Sequence, residues 1–430
     1  FIDFPAGEGG RFSFSFKLLT ITHRKQEILL GQHSTVRFHC AYHESGLNQI
    51  VMQRSMMHLL LAGFLLATVQ ANLITDLKEF AYSQTDYQPQ AQQHYPGSRT
   101  QIIPLPRESY GWPNVPLPFL GQISGVSINL QGHPVLFHRG KRVWDETSFN
   151  SSYGFQHIRE GPIPVDTVLT LDKNTGLVID AWGANRFYMP HGCTVDHKGF
   201  IWLTDVALHQ VFKFAPHSKA PQLTLGSPLQ PGSDSRHLCM PTAVAVASDG
   251  QFFVSDGYCN ARVLKYNPQG HVVRVYPQQH EHLSLAIPHG VTLLEHHDLL
   301  CIADRENRRV TCVSAELRSP GQYSRSINIQ PPGLGRVFAI ASVGDLVFAV
   351  NGPTTPQIPV QGFTISPFSE AVVDTWSPTS VRFHNPHGIA INKNGTELYV
   401  VETSPNRIWK FDTSQWVDMN QMAYVPLEPE

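Results

Sequence analysis

The chain is short of charge. Of its 430 residues only 15% are Asp, Glu, Lys or Arg, and 32 basic residues nearly balance 34 acidic ones, giving a formal charge of -2. An average globular protein carries roughly 25%. Without a basic surplus there is no face to meet phosphates, so nucleic acid is excluded as a partner. Long apolar runs are also missing. The longest, Leu59 to Val69, falls well short of the roughly 20 residues a bilayer span requires. No later segment is more apolar, so no membrane span is expected. No stretch sustains a long amphipathic helical period. Gly and Pro, at 32 each, stay below the level that signals low-complexity disorder.

What is present divides the chain. Met52-Gln53-Arg54-Ser55-Met56-Met57-His58 is a short basic stretch, followed by the apolar run and by Val69-Gln70-Ala71, a small-residue cleavage pattern. Together, residues 52–71 read as a secretory signal peptide. Residues 1–51 show no sustained period and are expected to be absent from the mature protein. Residues 72–102 are Gln-rich and poor in aliphatics, as in a polar linker. Residues 103–420 form the folded domain and 421–430 a tail. Six cysteines fit an oxidising compartment. Cys40 precedes the cleavage pattern, and Cys193, Cys239, Cys259, Cys301 and Cys312 leave room for two bridges and one free thiol. Cys301 and Cys312 flank a turn, which suits a hairpin bridge, but spacing does not prove connectivity. The sequons at Asn150 and Asn394 also fit a secretory-pathway or extracellular glycoprotein, in granules or released.

The domain repeats itself. Pro190-His191-Gly192 leads into Ile201-Trp202-Leu203-Thr204-Asp205, Pro241-Thr242-Ala243 into Phe252-Phe253-Val254-Ser255-Asp256, and Pro288-His289-Gly290 into Leu300-Cys301-Ile302-Ala303-Asp304. Pro386-His387-Gly388 leads into Leu398-Tyr399-Val400-Val401-Glu402. Weaker units begin near Ser124 and Val337, which makes six at intervals of roughly 50 residues. Each unit is a set of short β-branched and aromatic strands punctuated by Gly, Asp and Asn. Repeated units of three or four strands at this length predict an all-β fold, a six-bladed β-propeller around a central channel; an array of β-sandwiches is the runner-up.

Three of the six units carry His in the same slot: His191, His289 and His387, each 98 residues from the next. These are units two, four and six, while units three and five hold Thr242 and Phe338 there. Innermost propeller strands line the axis, so three imidazoles a third of a turn apart are expected to converge. Three His with open positions is the pattern of a catalytic zinc site.

At this point the chain resembles a known family. Phe137-His138-Arg139-Gly140, Thr204-Asp205-Val206-Ala207-Leu208-His209, Val254-Ser255-Asp256-Gly257-Tyr258-Cys259, Ala303-Asp304-Arg305-Glu306-Asn307 and Phe348-Ala349-Val350-Asn351-Gly352 look like peptidyl-α-hydroxyglycine α-amidating lyase, an NHL-type propeller enzyme. No copper monooxygenase half accompanies them, so the resemblance is to a lyase-only form whose substrates come from a separate copper monooxygenase. The resemblance implies a zinc-dependent peptidylamidoglycolate lyase, which completes neuropeptide and peptide-hormone amidation by releasing a C-terminal peptide amide and glyoxylate. It implies Zn²⁺ on His191, His289 and His387, catalytic Tyr258 and Arg139, and substrate contacts from Arg139 and Arg305. It further implies the bridges Cys239–Cys259 and Cys301–Cys312, and a monomer is expected. The family's channel calcium, Ca²⁺ held by backbone carbonyls matching Val126 and Cys193 and by an Asp after the third His, is a weaker expectation because this chain has Gly388 at that Asp position. Asn385 likewise departs from the Met usual two residues before that His.

Plainer roles stand beside these. Tyr258 would cap a blade turn, Arg139 would pair with Asp145 or Asp205, and Arg305 with Asp304 or Glu306. Two other functions also compete: a non-catalytic NHL propeller that binds a protein partner, and a calcium-dependent propeller lactonase.

Overall fold

The computed structural model describes residues 11–24, 27–41, 102–278, 283–318 and 326–418. The chain divides into two compact units, Phe1–Gly97 and Ser98–Glu430. In the first, Arg11–Arg24 and Glu27–Ala41 pair as one antiparallel hairpin. This corrects the reading of 1–51 as patternless: Phe12, Phe14 and Phe16 alternate with Ser13 and Ser15, a two-residue period. The expected signal peptide, most of the linker and the tail lie outside the described residues.

The second unit holds six four-stranded antiparallel sheets, the six blades of a propeller. Blade 1 consists of Ile123–Ile128, Pro134–His138, Val168–Leu171 and Val178–Trp182. Blades 2 to 5 open with Pro190–Val195, Ala243–Val246, Pro288–Leu294 and Val337–Val343. Blade 6 joins Asn385–Ile391, Glu397–Ser404 and Ile408–Asp412 to Arg107–Glu108, a strand from the domain's other end. Beside it Trp416–Asp418 pairs with Ile102–Pro104. The ring is therefore closed by backbone hydrogen bonds between chain segments some 300 residues apart.

Apolar residues fill the seams between blades. Val135, Phe137, Phe187, Leu203 and Phe214 pack blade 1 on blade 2. Trp202, Val244, Phe252, Val254 and Tyr266 pack blade 2 on blade 3, with Trp202 and Phe252 ring centroids 4.5 Å apart. Four further clusters complete the circuit. Second strands such as Phe252–Asp256 and Leu346–Asn351 are buried on both faces, which explains their unbroken apolar character. Each large side chain removed from water in this way contributes roughly 1.5–3 kcal/mol.

The acids that end these second strands turn inward to hold the chain entering the blade. Asp205 accepts the backbone N–H groups of Tyr188, Met189, Ala207 and Leu208. Asp256 accepts that of Cys239, Asp304 that of Ala286, and Glu402 those of His384 and Asn385. A carboxylate that pins these loops fixes where the following innermost strand begins.

Candidate active site at the channel mouth

The innermost strands carry the three histidines on a recurrent irregularity. Strand pairing skips a position between Leu203 and Asp205 opposite His191, between Pro288 and Gly290, and between Pro386 and Gly388. A bulge of this kind re-aims one side chain, and here each one turns a His into the channel. All three are buried. Their ring centroids lie 4.8, 4.8 and 4.9 Å apart, and one ring nitrogen from each falls within 4.8 Å of the others.

The outer nitrogens are fixed by the intervening blades. His191 Nδ1 lies 2.8 Å from the Thr242 carbonyl oxygen, His289 Nδ1 2.6 Å from that of Phe338, and His387 Nδ1 2.7 Å from that of Ser124. A carbonyl can only accept, so Nδ1 carries the proton and Nε2 keeps a free lone pair toward the axis. Thr242, Phe338 and Ser124 occupy the slots of blades 3, 5 and 1, so even blades supply imidazoles and odd blades orient them. Glycine after the His permits this: a Cβ on Gly192 would lie 2.3 Å from the Thr242 oxygen. Burial drives the imidazole pKa values down, to about 3 for His387 and well below the usual range for His191 and His289. Neutral imidazole is the metal-binding form. Three preoriented, neutral, buried nitrogen donors fit a zinc ion.

Beside the imidazoles stand the residues that the resemblance singled out. Tyr258 places its hydroxyl 2.9 Å from His289 Nε2 and 3.2 Å from His191 Nε2. Burial pushes its pKa above the ordinary phenol range, while the charges of Arg305 and Arg139 pull the other way. Arg305 Nη1 stands 3.5 Å from the Tyr258 hydroxyl, and its Nε donates to Glu306 at 2.9 Å, so the pairing with Glu306 is present beside the contact with Tyr258. Arg139 is buried, donating from Nε to the Pro190 carbonyl at 2.9 Å and from Nη1 to Gln122 Oε1 at 2.7 Å. Neither Asp145 nor Asp205 bonds to it; Asp205 is occupied by backbone N–H groups, and Asp145 by Thr147 and Ser148.

Sequence reasoning missed Gln122 and Trp144. Trp144 lies 5.0 Å from the Tyr258 ring, 6.0 Å from His191 and 5.1 Å from the Arg139 guanidinium carbon. It belongs to a long connection between the second and third strands of blade 1 that also brings Phe149 and Phe155 to the Tyr258 cluster. The length and aromatic content of that connection were a readable signal. Gln122, one polar residue ahead of a strand, offered none.

The bridges Cys239–Cys259 and Cys301–Cys312 are formed, and Cys193 is free. Cys239–Cys259 ties down the Tyr258 loop. Burial pushes the Cys193 thiol up to about 12, so it stays neutral. Val126, Cys193 and Gly388 line the channel, but no described lining residue is a carboxylate. That donor set does not suit a hard cation, and no role is derived for calcium. Asn150 and Asn394 are both exposed. Among the described residues no helix is long and apolar enough to cross a membrane.

The fold and the site together define a class: a six-bladed propeller enzyme with a three-histidine centre at its channel mouth. Residues 238–266 match the NHL repeat. The chain is 50% identical over 314 residues to peptidyl-alpha-hydroxyglycine alpha-amidating lyase 2 of Drosophila melanogaster, covering 72% of this chain and 76% of that one. It is 44% identical over 313 residues to lyase 1 of the same fly, covering 68% and 57%. Against peptidylglycine alpha-amidating monooxygenase of Rattus norvegicus it is 40% identical over 331 residues, spanning 75% of this chain but only 33% of that relative. The chain belongs to the peptidyl-α-hydroxyglycine α-amidating lyase family, and it is a lyase.

Proposed function

We propose that this lyase splits peptidyl-α-hydroxyglycine into a peptide amide and glyoxylate, with zinc held by His191, His289 and His387. Its substrates would come from a separate copper monooxygenase acting on glycine-extended peptides. The observation that carries the reading is the convergence of three neutral imidazoles whose outer nitrogens are already committed to backbone carbonyls. A bound zinc ion would supply Lewis acidity toward the substrate hydroxyl.

The rest of the chemistry falls to the chain's own groups. The substrate is a carbinolamide with a terminal carboxylate. Its N–C bond breaks when the hydroxyl proton leaves and the amide nitrogen gains one. Arg139 receives the carboxylate in the pocket beneath Trp144. Tyr258, between two imidazoles and the Arg305 guanidinium, takes the hydroxyl proton and returns it to the departing nitrogen, so the proton count is conserved. Arg305 and Arg139 steady the phenolate from which the cycle starts and to which it returns, Tyr258 being the neutral phenol in between. The signal-peptide pattern, the two bridges and the exposed sequons support work in the secretory pathway.

The test is a purified secreted form assayed for bound metal and for glyoxylate release. About one zinc per chain and chelator-sensitive glyoxylate formation are expected. Full activity after complete removal of transition metals would refute the zinc assignment, and no glyoxylate from any hydroxyglycine peptide would refute the substrate assignment.

A further inference from the structure

We infer that Gln122 is the residue that holds Arg139 without offsetting its charge, leaving it open to an anion, and so permits the enzyme's preference for a free terminal carboxylate; this rests on the function proposed above. Gln122 Oε1 accepts from Arg139 Nη1 at 2.7 Å and from the Trp144 backbone N–H at 2.9 Å. One amide oxygen thus holds the guanidinium and the indole-bearing segment beside it in a fixed relation. The other protein acceptor of Arg139 is the Pro190 carbonyl at 2.9 Å, next to His191. Both acceptors are neutral. Arg139 makes no ion pair among the described residues, and its Nη2 is buried without a hydrogen-bond partner.

Such an arrangement is costly for a folded protein. A buried charge with no carboxylate in contact, influenced by Asp205 only at a distance, and an orphaned donor are both destabilising, and proteins ordinarily answer them with a carboxylate. Here the residue best placed to do so is an amide of nearly the same shape. Glutamate at 122 would keep an acceptor for both Nη1 and the Trp144 N–H while cancelling the charge. Glutamine keeps the geometry and leaves the charge for an incoming group. Nη2, buried and without a hydrogen-bond partner on a guanidinium whose carbon lies 5.1 Å from the Trp144 ring, is the vacant donor that a planar carboxylate would engage.

The experiment compares wild type, Gln122→Glu and Gln122→Met on an N-acylated dipeptide ending in α-hydroxyglycine and on its C-terminal methyl ester, with glyoxylate or glyoxylate ester as the readout. Wild type should favour the acid over the ester. Gln122→Glu should lose that preference by roughly 10- to 100-fold, mainly through a higher KM for the acid, while its kcat stays close to wild type and its thermal midpoint is equal to wild type or higher. Gln122→Met, which removes the acceptor but leaves Arg139 charged, should retain most of the preference even if kcat falls. The inference is overturned if Gln122→Glu keeps the wild-type acid-to-ester ratio, or if Gln122→Met abolishes the ratio as completely as Gln122→Glu does. The substrate assignment is judged on wild type alone, by whether it releases glyoxylate from the acid at all.

Discussion

His209 should make the propeller acid-labile by a calculable amount. It sits in the turn after Leu208 with φ of 56°, fully buried. Its Nδ1 accepts the Met240 N–H at 3.0 Å, which requires an unprotonated nitrogen, and its Nε2 has no hydrogen-bond partner. Burial drives its pKa down to about 4, with the Tyr153 backbone working weakly the other way. An unfolded His titrates near 6.5. Between these two values the unfolded chain binds a proton that the folded chain refuses, so stability is intact above about pH 6.5 and falls as pH drops. The loss is on the order of 1 kcal/mol at pH 5.5 and on the order of 3 kcal/mol once pH passes below the folded value. His209→Asn is the informative variant. Asparagine tolerates a left-handed backbone, its carbonyl can accept the Met240 N–H, and it does not titrate. Thermal unfolding at pH 7.5 and 5.5 should show a smaller acid-induced drop in the variant than in wild type, by roughly 2–4 °C. The pore histidines are common to both proteins and cancel in the comparison. An equal drop in both would mean that His209 is not the proton acceptor, and the reasoning would fail.

Tyr258→Phe should lower kcat roughly 10²- to 10⁴-fold with the thermal midpoint nearly unchanged, since only a hydroxyl at the mouth is lost; near-wild-type glyoxylate release would remove Tyr258 from the chemistry. Replacing Cys301 and Cys312 together by Ala opens a loop of sequence separation 11 and should cost about 3 kcal/mol of stability, read by denaturant unfolding. Gly388→Asp should destabilise by roughly 1–3 kcal/mol, because a Cβ there would lie 2.8 Å from the Val401 side chain and 3.3 Å from the Val126 nitrogen; a thermal midpoint equal to wild type in calcium-free buffer would contradict this.

Much of the site was legible because propellers translate sequence interval into angle. Slots at 191, 289 and 387 had to fall on alternate blades, and innermost strands face the axis, so the convergence of the three imidazoles followed from counting. Arg139, Tyr258 and Arg305 were marked by likeness to a family rather than by period, since each stands on a connection between strands. Gln122 and Trp144 were not legible: they act through contacts across the mouth that no spacing encodes.

The sequence by itself determined the number of blades and which slots carry histidine, because those are local patterns repeated along one dimension. Tertiary structure alone decided three things. Arg107–Glu108 completes blade 6, carbonyls of the odd blades orient the imidazoles of the even ones, and Arg139 is left with neutral partners and a vacant donor. Each depends on groups brought together by ring closure, and an unpaired charge becomes expensive enough to imply a ligand only where packing has excluded water from it.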